Sequence, residues 1–303
     1  MISVIIPTHN RAGSLIRAVE SVRNQEYKDF ELIVVSDGST DETDAIMKEY
    51  TEKDRRIKYC HYMHAQGANH ARNVGVMESS GEYIAFLDDD DEWYPNKLTK
   101  QLQVFEGDKR IGLVYSAIRI IIQDKGIHYL SIPKARGDLR KEILLHNCIK
   151  TTSSVLLKRN VFESAGGFDE KLPALQDYDF WIRCLQITEV GYVREPLVNY
   201  YVNDGSNQIS SYTDKYITAM KIIDEKYREI FDSLTKNEYR IRNADKYAGL
   251  AKISLKNKNA KQCRTYCVKS IQSKPSLNAI KLYIASFLDL DFVMRILQSY
   301  RGK

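Results

Sequence analysis

Tyr83-Ile84-Ala85-Phe86-Leu87-Asp88-Asp89-Asp90-Asp91 joins five residues that read as a buried strand to four consecutive carboxylates. Two carboxylates held ~5 Å apart repel by about 3 kcal/mol at an effective dielectric near 20. If the four converge, a bound cation removes that cost. Hard oxygen ligands select Mg²⁺ or Mn²⁺, and an ion that keeps open positions is suited to bridge two phosphates. The plain alternative is a solvated acidic turn; the position directly after a buried strand argues for a site.

Working outward, Ser3 to Ile6, Phe30 to Val35 and Ile57 to Met63 read as further strands. Between them Ala12 to Asn24, Asp41 to Lys53 and Gly67 to Glu78 have helical spacing, with Ser39, Thr40 or Asp41 placed to cap the second. Alternating βα units predict a mostly parallel sheet, and right-handed crossovers put every strand's C-terminal end on one rim. Open α/β sheets bind ligands at that rim. Each predicted strand exit carries a polar cluster: Thr8 and Asn10, then Ser36 to Ser39, then His64 to Asn73, then Asp88 to Asp91.

From Gly112 the pattern changes to Leu113–Gln123 and Ile127–Ile132, joined by Asp124-Lys125-Gly126, which predicts an antiparallel extension. Thr151 to Leu157 reads as another strand and Leu175 to Gln186 as a short helix. Beyond about Ser210 the chain is helical in period, basic and tyrosine-rich. Turn signals at Lys256–Asn259 and Ser273–Ser276 divide it. We place one domain boundary near 210, with the first domain divided into halves of about 1–110 and 111–210, and a helical region over 211–303.

The 303 residues are 43% hydrophobic and 28% charged, ordinary for a folded globular chain and against a disordered or fibrous one. Five scattered cysteines without a CxxC pair suggest reduced thiols. The start of the sequence lacks the basic and apolar regions of a signal peptide, and no apolar run is long enough to span a bilayer. The expected location is therefore cytoplasmic. A net charge of +5 does not call for a nucleic-acid partner, but Lys215 to Lys303 holds 19 Lys and Arg against 8 Asp and Glu. That basic excess allows peripheral contact with the inner face of the plasma membrane through 211–303.

Several residues invite chemistry. Asp37, in a Ser-Asp-Gly-Ser turn, can accept an N–H from a base edge while Gly38 turns the backbone; an Asx-turn is the alternative. Arg72 can supply a fixed cation to a diphosphate or simply lie on a helix surface. Asp177 is the best candidate general base, able to take a hydroxyl proton within hydrogen-bond reach. Asp179 is its local competitor. A Walker A loop, a G-x-G-x-x-G fingerprint and a nucleophile elbow are all missing from the sequence.

Ser-Val-Ile-Ile-Pro-Thr-His-Asn at 3–10, Ser-Asp-Gly-Ser-Thr-Asp at 36–41, Ala-Arg-Asn at 71–73, Phe-Leu-Asp-Asp-Asp-Asp-Glu-Trp-Tyr-Pro at 86–95, Gly-Gly-Phe-Asp-Glu at 166–170 and Gln-Asp-Tyr-Asp-Phe-Trp at 176–181 together resemble family 2 glycosyltransferases of the GT-A fold, of the bacterial surface-polysaccharide type. The resemblance covers about residues 1–205. It implies an α/β, Rossmann-like sheet and inverting transfer of a sugar from a UDP-sugar to a glycan or lipid-linked acceptor. It implies that Pro7, Thr8, Asn10, Asp37, Arg72, Asp88 and Asp89 serve the nucleotide-sugar, with Asp37 on uracil. Asp88-x-Asp90 looks like the DXD motif, Asp90 being the ligand for Mn²⁺ or Mg²⁺ and Asp88 a further candidate. Asp177 matches the family's base.

Three departures stand out. Ser36 replaces the first acid of the usual pair before Gly38, Gln176 replaces the acid before the base, and Tyr201-Val202-Asn203-Asp204 stands where members often carry a histidine. Asp204 is therefore a candidate substitute ligand. Two rival readings follow: a sugar nucleotidyltransferase, and a nucleotide-binding scaffold without turnover.

Overall fold

Wholly buried strands form where apolar runs can be covered on both faces, and the first two strands illustrate it. Every residue of β1 (Ile2–Thr8) and β2 (Phe30–Asp37) is buried, as expected of parallel strands flanked by helices. In a computed structural model that describes residues 1–123, 126–202 and 213–288, β1 pairs in parallel with β2 and with β4 (Tyr83–Phe86), and β2 with β3 (Ile57–Tyr62). Helices α1 (Ala12–Arg23), α2 (Thr43–Lys53) and α3 (Ala68–Met77) make the crossovers. The expected rim therefore forms.

The remaining strands are β5 (Glu92–Trp93), β6 (Ile111–Ile122), β7 (Ile127–Ser131), β8 (Val155–Lys158) and β9 (Glu189–Val202). The sheet runs β3-β2-β1-β4-β8-β6-β9-β5, with β7 paired to β6. The antiparallel extension enters through β8, which lies antiparallel to both β4 and β6. The predicted hairpin is the β6–β7 pair. The 151–157 run differs from expectation in its first half: Thr152–Ser154 is a 3-10 turn, because the Thr151 side chain accepts from Ser153 N and tightens the backbone. The fourteen-residue β9, parallel to β6, has no counterpart in the sequence reading. Its Arg194-Glu195-Pro196 interruption hides the β period, and the ladder indeed shifts register there.

Helices α4 (Lys97–Gly107), α6 (Arg159–Ala165) and α7 (Gln176–Ile187) complete this unit, which comprises 1–140, 148–170 and 176–203. The main core joins β1, β2 and α1 residues such as Ile6, Leu15 and Val34 to Trp93, Leu98, Val114 and Val198.

The second unit comprises 141–147, 171–175 and 204–303. The short segments 141–147 and 171–175 carry no compositional signal in the sequence. The unit contains α5 (Glu142–Leu145), α8 (Thr213–Lys226), α9 (Arg228–Asp232), α10 (Lys236–Lys256), α11 (Ala260–Ser273) and α12 (Leu277–Ala285). Thr235 and Glu238 form a reciprocal capping box at the start of α10, and both predicted inter-helix turns fall between helices. Ala251, Cys263 and Cys267 form a small core with Leu282 and Tyr283 packed against it.

Candidate active site

The loop after β1 is tied to the loop after β2 by short polar side chains. Asn10 sits in the left-handed region at φ 53°, which asparagine tolerates better than most residues. From there its N–H reaches Ser39 Oγ at 3.1 Å, and its Oδ1 accepts from Thr40 N at 2.7 Å. Asp41 then fastens both helices, accepting from Ala12 N at 2.9 Å and from Thr43 N at 3.1 Å. Of the three capping candidates for the second helix, none is the N-cap, which is Glu42 without a side-chain cap bond; Asp41, one residue earlier, accepts from the first helical N–H instead.

Asp37 is buried, and its two oxygens accept from Gln66 N and Gly67 N, both at 2.7 Å. The bonds fix the carboxylate's plane and leave further lone pairs for a base N–H. His9 Nδ1 donates to the Asp37 carbonyl at 2.6 Å. Gly38 is required: at φ 74° it takes a left-handed turn, and a Cβ would lie 2.7 Å from Ala65 N.

The four carboxylates that leave β4 diverge into four environments. Arg72 Nη2 donates to Asp88 at 2.6 Å, and Thr152 Oγ1 lies 3.3 Å from both Asp88 oxygens. Asp89 turns inward, accepting from Thr8 Oγ1 at 2.8 Å and from Arg11 Nη1 at 2.9 Å. Asp90 accepts from the same Arg11 nitrogen at 2.8 Å, while its backbone carbonyl accepts from Arg17 at 2.6 Å. Asp91, wholly buried, accepts from Ser153 Oγ at 2.6 Å and from Tyr201 N at 3.2 Å. Ser153 Oγ in turn accepts from Asp88 N at 3.1 Å.

Burial dominates the electrostatics. It pushes Asp89 up to about 6 against the pull of Arg11, with Asp90 adding to the rise. Burial and then Asp88 raise Asp90, and burial with Asp88 and Asp90 raises Asp91 well above the usual carboxylate range. The Tyr200 hydroxyl is raised first by burial and then by Asp91, Asp88, Asp90 and Asp177, so all four acids lie within electrostatic reach of one phenol.

Asp177 is half-buried in the first turn of α7. Its competitor Asp179 is fully buried and ion-paired with Arg183 at 2.6 Å. Arg183 also donates to the Ala165 and Gly167 carbonyls, so Asp179 anchors α7 to the end of α6. Helix α3, which carries Arg72, holds the segment before α7 as well. Asn69 donates to the Asp169 carbonyl at 2.7 Å, and Asn73 exchanges bonds with Phe168 O and N at 2.9 and 2.8 Å.

Among the described residues no three metal-ligating side chains cluster, and Asp204 lies outside those residues. Asp88 and Asp90 nonetheless suit a Mg²⁺- or Mn²⁺-class ion, which commonly takes one or two carboxylates and completes its shell with phosphate and water. Pro7 is buried in β1 between Ile6 and Thr8. Sequence reading missed Arg11, Arg17, Thr152 and Ser153. Arg11 follows directly on the Thr8–Asn10 cluster and was findable there; Ser153, more than sixty residues from the acids it bridges, was not.

A doubly covered parallel sheet with acids at its rim, continued by an antiparallel extension and followed by helices, is a GT-A-like α/β fold. Residues 3–166 match the family described as glycosyl transferase family 2, and the chain belongs to that family. An uncharacterised glycosyltransferase of Rickettsia typhi is 32% identical over 228 residues, covering 70% of this chain and 69% of that protein. The amylovoran biosynthesis glycosyltransferase AmsB of Erwinia amylovora is 30% identical over 214 residues, covering 66% and 69%. Among solved structures, S. aureus TarS 1–349 in complex with UDP-GlcNAc aligns with a TM-score of 0.58 at 14% identity over 94% of this chain and 90% of that one. The Pyrobaculum calidifontis mannosyltransferase PcManGT, in complex with GDP-Man and Mn²⁺, aligns with a TM-score of 0.60 at 17% identity over 99% and 84%. At these identities the structural likeness concerns the fold.

Proposed function

We propose that this chain is an inverting glycosyltransferase that moves a sugar from a UDP-sugar to a lipid-linked glycan during surface polysaccharide synthesis. The observation that carries the reading is the rim after β4, where Asp88 pairs with Arg72 at 2.6 Å and Asp90 with Arg11 at 2.8 Å, beside Asp37 held by two backbone N–H groups at 2.7 Å. In this reading the donor-side acids after β4 and the base at the start of α7 serve one site. The relative named for amylovoran biosynthesis supports the polysaccharide context. The fold neighbour bound to UDP-GlcNAc supports a uridine donor, and the one bound to GDP-Man makes a guanosine donor the alternative to test.

In this reading Thr8, Asn10 and Asp37 line the nucleoside side, with Pro7 fixing the end of β1, and Arg72 and Asp88 face the diphosphate. Asp88 and Asp90 would hold Mn²⁺ or Mg²⁺, which when bound supplies positive charge to a departing diphosphate. Asp177 takes the acceptor hydroxyl proton as that oxygen attacks the anomeric carbon. The bond from that carbon to the diphosphate oxygen breaks, UDP leaves, and the configuration inverts. Such a site would work on the cytoplasmic face of the membrane, with the basic helices of 211–303 near the lipid.

The test is UDP and GDP release from a panel of sugar nucleotides, with Mn²⁺, Mg²⁺ or chelator, for wild type, Asp90→Asn and Asp177→Asn. Metal-dependent release from one UDP-sugar that Asp90→Asn abolishes supports the reading and names the donor. Release only from a GDP-sugar overturns the uridine assignment. Nucleotide binding without turnover across donors and acceptors overturns the transferase reading in favour of a scaffold.

A further inference from the structure

Arg11 touches two of the four rim carboxylates through a single nitrogen, 2.9 Å from Asp89 and 2.8 Å from Asp90. Arg72 pairs with Asp88 at 2.6 Å. Both carboxylates of the Asp88-x-Asp90 pair thus accept from guanidinium groups. The three arginine–acid contacts differ in depth. Asp89 is nearly inaccessible, at 7% side-chain exposure, whereas Arg11 retains 35% and Asp90 17%. Asp89 is fixed from behind by Thr8, so the more exposed Arg11 and Asp90 are the members of the cluster that solvent and a ligand can reach.

We infer that Arg11 is an exchangeable counter-ion for the donor site. It pairs with Asp90, as the 2.8 Å contact shows, and would pass to the donor's diphosphate when Asp90 turns to a divalent ion. The inference rests on the reading of this rim as a nucleotide-sugar site. Its physical basis is charge conservation in a partly desolvated place: two adjacent carboxylates without a cation are costly there, and an arriving metal–diphosphate pair brings one cation and one anion. Arg11 can exchange partners without leaving any charge bare, because its planar fork binds phosphate as readily as carboxylate. Two consequences follow. Free metal competes with Arg11 for Asp90 and binds weakly, whereas metal and nucleotide bind together.

The experiment uses the full chain, as wild type, Arg11→Gln, Arg11→Lys and Asp90→Asn. Mn²⁺ alone is titrated with detection of the free ion by electron paramagnetic resonance, and UDP is titrated calorimetrically at fixed Mn²⁺. Arg11→Gln is expected to bind Mn²⁺ alone more tightly than wild type and Mn²⁺–UDP roughly tenfold more weakly, the worth of one charge-assisted hydrogen bond. Arg11→Lys should lie between. A purely structural arginine would move both affinities down or neither, and either result overturns the exchange, provided thermal melts show that Arg11→Gln is folded; an unfolded Arg11→Gln passes the decision to Arg11→Lys, with the same signs. Failure of wild type to bind any nucleoside diphosphate overturns the nucleotide-sugar reading itself, and the exchange falls with it.

Discussion

On the proposed reading, replacing Asp177 by asparagine preserves size but removes the proton acceptor. Turnover with acceptor should fall by about 10²–10⁴ while UDP affinity stays within twofold, because a base acts on the acceptor rather than the nucleotide; initial rates beside calorimetry check it. Asp179→Asn should behave differently, since it leaves Arg183 without its buried partner: a lowered melting temperature is expected, with the surviving folded protein active. At the opposite end of the sheet, Glu31 accepts from Ser3 Oγ at 2.8 Å, Ser80 N at 2.5 Å and Lys58 Nζ at 2.8 Å. Burial alone would raise its pKa, but Lys58, the Ser80 N–H and Ser3 outweigh it and hold the carboxyl down at about 2. A folded-state pKa below the unfolded value means stability that is present above about 4.5 and lost as pH falls toward 2. Denaturant midpoints from pH 6 to pH 3 should therefore converge between wild type and Glu31→Gln, with the mutant about 1.5–3 kcal/mol less stable at neutral pH.

Helix α3 is the element on which the site depends, since it carries Arg72 toward Asp88 and Asn69 and Asn73 toward 168–170. Its closeness to the sheet rests on Gly75, where a Cβ would lie 2.5 Å from Ile5 Cγ2 in β1. Gly75→Ala should cost about 1–3 kcal/mol by overpacking despite alanine's better helix propensity, and should weaken UDP binding in parallel; urea melts and calorimetry would test both. The parallel half of the sheet was legible because its strands are short apolar runs punctuated by polar exits, a local signal. The extension was only half legible. Strand β9 pairs with β6 through a shifted ladder around Pro196, and no local period announces such a pairing.

For the whole molecule, the uneven charge finds a structural setting in the helical unit. Leu277, Ile280 and Ile284 lie at helical spacing along α12 and are exposed, with Lys274 and Lys281 nearby. An apolar stripe flanked by lysines is the pattern of a helix that lies in a membrane interface, and no helix among the described residues is long and apolar enough to cross a bilayer. The full chain should co-sediment with phosphatidylglycerol-containing vesicles, less so as salt rises. Leu277→Glu with Ile284→Glu should reduce that binding at every salt concentration. Equal recovery of both proteins with neutral and anionic vesicles would refute the membrane role.

By itself the sequence determined the parallel βα units, the rim, the acids after β4, the helical character of the C-terminal region and, through resemblance, the family. Each of these is set by short-range physics: hydrophobic period, turn residues, capping and the spacing of neighbouring side chains. Only the tertiary structure decided which acids face which cations. Asp88 to Asp91 are adjacent in the chain, yet Arg72, Arg11 and Ser153 approach them from α3, the end of β1 and the turn before β8. It likewise separated Asp177 from Asp179, two residues apart on one helix, by burying one in an ion pair. Insertion of β8 between β4 and β6 brings Ser153 to the acids across more than sixty residues, and pairings over such separations depend on the packing of the entire sheet.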